Sequence, residues 1–96
     1  MLIRVKVKLL GTFRELTEID QLSVEAKHLD VRSVIMLLID SASKRSRAML
    51  IDPELNDPRP NALLLLNGRE ISILRGLETE VNDGDELVII PVVHGG

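Results

Sequence analysis

Apolar and charged residues alternate at the start of the chain, where Ile3, Val5, Val7 and Leu9 are separated by Arg4, Lys6 and Lys8. A period of two places the aliphatic groups on one face and the cations on the other, which predicts a half-buried strand. Gly11 and Thr12 end it. A short segment around Phe13 and Leu16 follows, and Gln21 to Lys27 (QLSVEAK) supplies a second strand able to return as a hairpin. The period then changes. Val31, Val34, Ile35, Leu38, Ile39 and Ala42 recur at spacings of three and four behind Asp30, which predicts an amphipathic helix with an aspartate N-cap. Lys44, Arg45 and Arg47 are expected to close that helix, where cations complement the dipole.

Residues 52–60 (DPELNDPRP) carry three prolines and read as a loop. Beyond them, ALLLLNGREI is a short apolar strand, an Asn-Gly turn and a polar return, since both central residues of such a turn adopt positive φ. After an irregular stretch, Asn82-Asp83-Gly84 makes a second turn, and Glu86 to Ile90 forms a last strand that is apolar on both faces from Leu87 onward. A strand of that kind belongs inside a sheet. The order strand, strand, helix, strand, short strand, strand, with the first and last strands adjacent and parallel, predicts an α+β chain of the β-grasp, or ubiquitin-like, architecture. Four to five strands of a mixed sheet would surround one main helix over residues 1–90, and residues 91–96 would form a flexible tail.

Composition narrows the chemistry more than the fold. The 96 residues suit one domain, and 45% hydrophobic with 28% charged residues is ordinary globular composition. Without cysteine the chain has neither disulfides nor a thiol nucleophile of its own. Phe13 is its single aromatic residue and the net charge is -3, so base stacking and electrostatic attraction to nucleic acid both lack their usual equipment. No apolar run approaches a membrane span, and the charged N-terminus does not resemble a signal peptide, so a soluble cytoplasmic protein is expected. His28 and His94 are too few for a metal site without placed carboxylates, and residues 82–86 (NDGDE) lack the ligand spacing of a calcium loop. No Ser/His/Asp set or phosphate-binding loop stands out, and catalysis by this chain alone is not expected.

What remains is PVVHGG, residues 91–96. A glycine carboxylate is ionised at neutral pH and can attack the α-phosphate of ATP when a partner supplies Mg²⁺ and neutralises charge. Gly95 and Gly96 would let the end enter a narrow channel, with His94 as the first bulky side chain outside it. Taken alone, the dipeptide fits a frayed end or a cloning remnant slightly better. A partner surface can also be argued from the strands. If Leu87 and Ile89 face the helix, Val88 and Ile90 point outward, and by the same alternation Leu64 and Leu66 point inward while Leu63 and Leu65 point outward. With Val92, and with Arg4, Lys6 and Lys8 as a basic border, these residues would form an exposed apolar interface for a partner. The competing arrangement folds Pro91 and Val92 back over the patch. Phe13 is expected to cover one end of the core beside Leu16.

LLGTFREL, DGDELVIIP and the final Gly-Gly resemble the ubiquitin-like sulfur carriers: the small subunit of molybdopterin synthase (MoaD), the thiazole carrier (ThiS) and the ubiquitin-related modifier. The likeness is densest from Arg59 to Gly96. Arg59-Pro60 before the third strand, the Leu74 to Leu77 segment before the acidic turn, and His94-Gly95-Gly96 look most like the ubiquitin-related branch. Val92 stands where the molybdopterin branch often has a second proline. The resemblance implies a carrier rather than an enzyme, activated at Gly96 by an E1-like adenylating enzyme with ATP and converted to a thiocarboxylate. Sulfur donor and acceptor enzymes would be its partners. In the ubiquitin-related branch sulfur goes to tRNA thiolation and the chain can be joined to target lysines. In the molybdopterin branch it goes to the cofactor's dithiolene by way of the synthase large subunit. A reading from another class is a β-grasp interaction module with an inert tail.

Overall fold

The structure is a computed structural model and describes residues 1–52 and 57–92. Strand β1 (Leu2–Leu9) buries Ile3, Val5 and Val7 and leaves Arg4, Lys6 and Lys8 in water, as its alternation requires. A 3-10 turn at Gly11–Glu15 carries Phe13 into the core beside Leu16, and β2 (Gln21–Glu25) returns antiparallel to β1. Helix α1 (Val31–Asp40) starts where expected, because the Asp30 carboxylate accepts the Ser33 N–H at 2.8 Å. Its stripe of Val31, Val34, Ile35, Leu38 and Ile39 is buried against the sheet.

The chain departs from the expected pattern after Asp40. Lys44, Arg45 and Arg47 do not close α1. The Ser41 hydroxyl and N–H both donate to the Leu38 carbonyl, α1 stops, and a second helix α2 (Lys44–Leu50) begins. Lys44 therefore stands at a helix N-terminus, where the dipole favours anions, and only Arg47 lies in a last turn. Leu50 and the following Ile51 seal that side of the core.

Strand β3 (Ala62–Leu66) turns through Asn67 (φ 51°) and Gly68 (φ 82°) into the two-residue β4 (Arg69–Glu70). Two further 3-10 turns, at Ile71–Ile73 and Gly76–Glu78, bury Ile71 and Leu77. The last strand β5 (Glu86–Pro91) runs one residue beyond the expected Ile90 and pairs parallel with β1 and antiparallel with β3. The sheet order is β2-β1-β5-β3-β4, so β5 is central and its Leu87 and Ile89 are fully enclosed. No helix among the described residues is long and apolar enough to cross a membrane.

The candidate docking face and the exit of the tail

The outer face of the sheet follows from strand parity. Leu64, Leu66, Leu87 and Ile89 fill the core, so Leu63, Leu65, Val88 and Ile90 point away from α1. Register then joins them into one patch: Val88 lies between Lys8 and Leu65, and Ile90 lies beside Leu63. Directly opposed residues on neighbouring strands have Cβ atoms about 4.5–5.5 Å apart, so the four aliphatic side chains are contiguous. Leu63 is 38% exposed and the other three are half-buried.

The border is narrower than the sequence suggests. Arg4 is engaged with Asp83: its N–H donates to Oδ1 at 2.8 Å and its guanidinium Nε approaches the same oxygen at 3.3 Å. That guanidinium, with the main-chain N–H, holds the Asp83 carboxyl below the usual carboxylate range. Lys6, which registers with Glu86, and Lys8, which registers with Val88, carry no ion pair among the described residues. They are the cations available at the rim.

Where the chain leaves the sheet is fixed by contacts that the sequence did not disclose. Pro91 packs on Gly11, whose φ is +56° and where an added Cβ would stand 2.7 Å from Pro91 Cγ. Leu10 donates to Ile89 O at 3.0 Å, and Val92 donates to Asn61 O at 3.0 Å, carrying the β3–β5 pairing past Pro91. Val92 is 41% exposed and its main chain continues the strand line beside Asn61 rather than turning back over the patch. The tail thus departs next to the Leu63–Ile90 end of the apolar face. His94, Gly95 and Gly96 lie outside the described residues. His28 is exposed, 3.8 Å from a Glu80 carboxylate oxygen, and no group of three or more metal-ligating side chains occurs among the described residues.

A second network steadies the start of β5. Asn67 donates from Nδ2 to Asp85 at 2.9 Å, and its Oδ1 accepts the Glu86 N–H at 2.9 Å. The turn before β5 is pinned in turn to β1, where Gly84 N donates to Arg4 O at 2.8 Å. Both turns are therefore tied to the strands at the middle of the sheet.

A five-stranded mixed sheet around one main helix, with β1 and β5 parallel at its centre, defines a ubiquitin-like β-grasp protein. The profile of the ThiS family matches residues 7–96. A protein of Archaeoglobus fulgidus provisionally described as a sulfur carrier is 36% identical over 93 residues, 96% of this chain and 98% of that one. The chain belongs to the ThiS family, within the ubiquitin-like sulfur carriers. Its structure is similar to small archaeal modifier protein 1 of Methanosarcina acetivorans (TM-score 0.74, 29% identity, 100% of this chain and 99% of that one). It is also similar to a Pyrococcus furiosus protein provisionally described as subunit 1 of the molybdopterin converting factor (TM-score 0.69, 25% identity, 95% and 99% covered).

Proposed function

We propose that this chain carries sulfur on Gly96 as its terminal residue and serves as a modifier of target lysines, acting as the substrate of an E1-like adenylating enzyme. The carboxylate of Gly96 attacks the α-phosphate of ATP, pyrophosphate leaves, and the mixed anhydride so formed loses AMP to an attacking sulfur nucleophile or lysine amine. ATP and Mg²⁺ belong to the partner. The chain's own residues dock and aim: Leu63, Leu65, Val88 and Ile90 supply apolar contact, Lys6 and Lys8 a cationic rim, and Val92 the first step of the arm carrying His94, Gly95 and Gly96. The reaction is placed in the cytoplasm, and tRNA thiolation is the proposed destination of the sulfur.

The observation that carries this reading is adjacency: the strand leading to the tail also supplies half of the exposed apolar patch, so a partner that grips the patch receives the tail beside it. Incubation with the cognate adenylating enzyme and labelled ATP should give pyrophosphate exchange. Deleting Gly96, or adding one residue after it, should abolish the exchange. Undiminished exchange in either variant would leave the tail chemically inert and the chain an interaction module. The likeness to the Pyrococcus protein favours a second reading, the small subunit of molybdopterin synthase. A strain lacking the gene distinguishes the two, since lost tRNA thiolation fits the first reading and lost molybdenum cofactor with normal thiolation fits the second.

A further inference from the structure

The sheet has two edges of unequal character. β4 is only two residues long, whereas β2 presents five regular residues, Gln21 to Glu25, with no proline, no lysine and an uninterrupted register to β1. Edges normally carry such devices because an open row of main-chain groups invites another strand. The groups that remain open on β2 follow from the ladder. Val7 N donates to Asp20 O at 2.8 Å and Ala26 N to Met1 O at 3.0 Å, so the even-numbered residues of β2 bond to β1. Gln21, Ser23 and Glu25 therefore turn their N–H and C=O groups outward, away from the sheet.

Beneath this edge lies an apolar ledge. Leu22 and Val24 face α1 but are only half-buried, and beside them a groove of about 420 Å³ runs to Met36 and to Leu37, which is 39% exposed. Arg32 lines one end of the groove along α1 and Asp40 the other.

We propose that this edge pairs with the same edge of a second copy about a two-fold axis at Ser23. Antiparallel pairing centred there sets Ser23 opposite Ser23 and Gln21 opposite Glu25, in about six new main-chain hydrogen bonds. Each outward N–H and C=O of the strand gains a partner, and on the inner face Leu22 meets Val24 of the other copy. Pairing centred on Glu25 would oppose two carboxylates, and the Ser23 register is the one that overlaps the whole strand. The same axis reverses α1, so the end bearing Arg32 faces the end bearing Asp40 of the second copy. Both strand and helix are thus self-complementary, which is the requirement of an isologous interface. Because the axis runs perpendicular to the sheet, the two outer faces lie on one side, and β2 and β1 separate each apolar patch, on β5 and β3, from the seam. This assembly presents two arms together and does not depend on the chemistry of the tail.

Sedimentation velocity of the full chain from about 10 µM to about 1 mM should show reversible dimerisation, a range that reaches even a weak symmetric contact. Ser23→Lys, on an exposed side chain, should leave the thermal transition unchanged and raise the dissociation constant at least tenfold. The absence of native cysteine allows a second arm. Ser23→Cys should cross-link rapidly on mild oxidation, while Thr12→Cys, also exposed but remote from the seam, should stay monomeric. A chain that is monomeric throughout the range leaves the edge to a strand of some other protein and overturns the proposal. A dimer indifferent to Ser23→Lys, or equal cross-linking of both cysteine variants, overturns it as well.

Discussion

Gly11 combines two demands that no other residue meets together: a left-handed backbone and no room for a side chain against Pro91. Gly11→Ala should cost about 1–3 kcal/mol in urea denaturation, from strain at positive φ with the clash added. The same substitution should disturb the course of the arm, because Pro91 is the seat being moved. Arg59 offers a test by pH. Its guanidinium Nε donates to Asp57 at 3.0 Å, and this bond, ahead of the charge attraction itself, lowers the Asp57 pKa. A carboxyl depressed in the folded state stabilises above its unfolded value near ~3.9, and that stabilisation is lost as pH falls through the lower folded value. Arg59→Ala should therefore raise the Asp57 midpoint in a carboxyl NMR titration and weaken the fold at neutral pH more than in strong acid. The Asp30 cap and the Asn67-Gly68 turn were legible because each is a local device read over a few neighbours. The Arg4–Asp83 pair, 79 positions apart, exists only through the packing of β1 against the turn before β5, and nothing local signals it.

Among elements, β1 and α1 could be read from periodicity, β3 and β5 as short apolar runs and β4 as the return from the Asn-Gly turn, and strand alternation then gave the outward parity of Leu63, Leu65, Val88 and Ile90. α2 could not. It is seven residues long, ends on the buried Leu50, and has too little apolar recurrence to show a period. The serines at 41 and 43 that separate it from α1 look like ordinary helix surface until the Ser41 hydroxyl is seen bonded to Leu38 O. On the outer face of the sheet, Leu63→Asp places a carboxylate where the side chain already meets water. The melting temperature should move by no more than a few degrees, while under the proposed function kcat/KM for adenylation falls about tenfold or more, as expected where an apolar contact meets the exit of the tail. A parallel loss of stability and activity would instead make Leu63 a folding residue. At the other end of the scale of effects, Asp30→Ala should cost about 1 kcal/mol in denaturant unfolding and leave adenylation unchanged once the protein is folded.

For the molecule as a whole, everything converges on β5. It holds both neighbours of the sheet centre, encloses Leu87 and Ile89, supports half of the apolar face and leads to the arm. A chain ended after Glu80 should give no cooperative thermal transition and a collapsed amide spectrum, because the remaining strands share no common partner. The overall order of strands was legible since a run apolar on both faces has to be central. The point at which the chain leaves the sheet was not, for the placement of Pro91 and Val92 rests on Gly11, Asn61 and the register that unites them.

The parallel pairing of β1 with β5 also sets a timetable. Lys6 stands opposite Glu86, a separation of 80 positions (86 − 6), so the first strand to be synthesised waits for the last before it gains its central neighbour. Until then β1 has only the β2 hairpin, which by itself is marginal in water, and Ile3, Val5 and Val7 lack permanent cover. Pairings so distant along the chain close slowly. Emergence of β5 therefore completes the sheet: until it is made, nothing joins the β1–β2 hairpin to the β3–β4 pair.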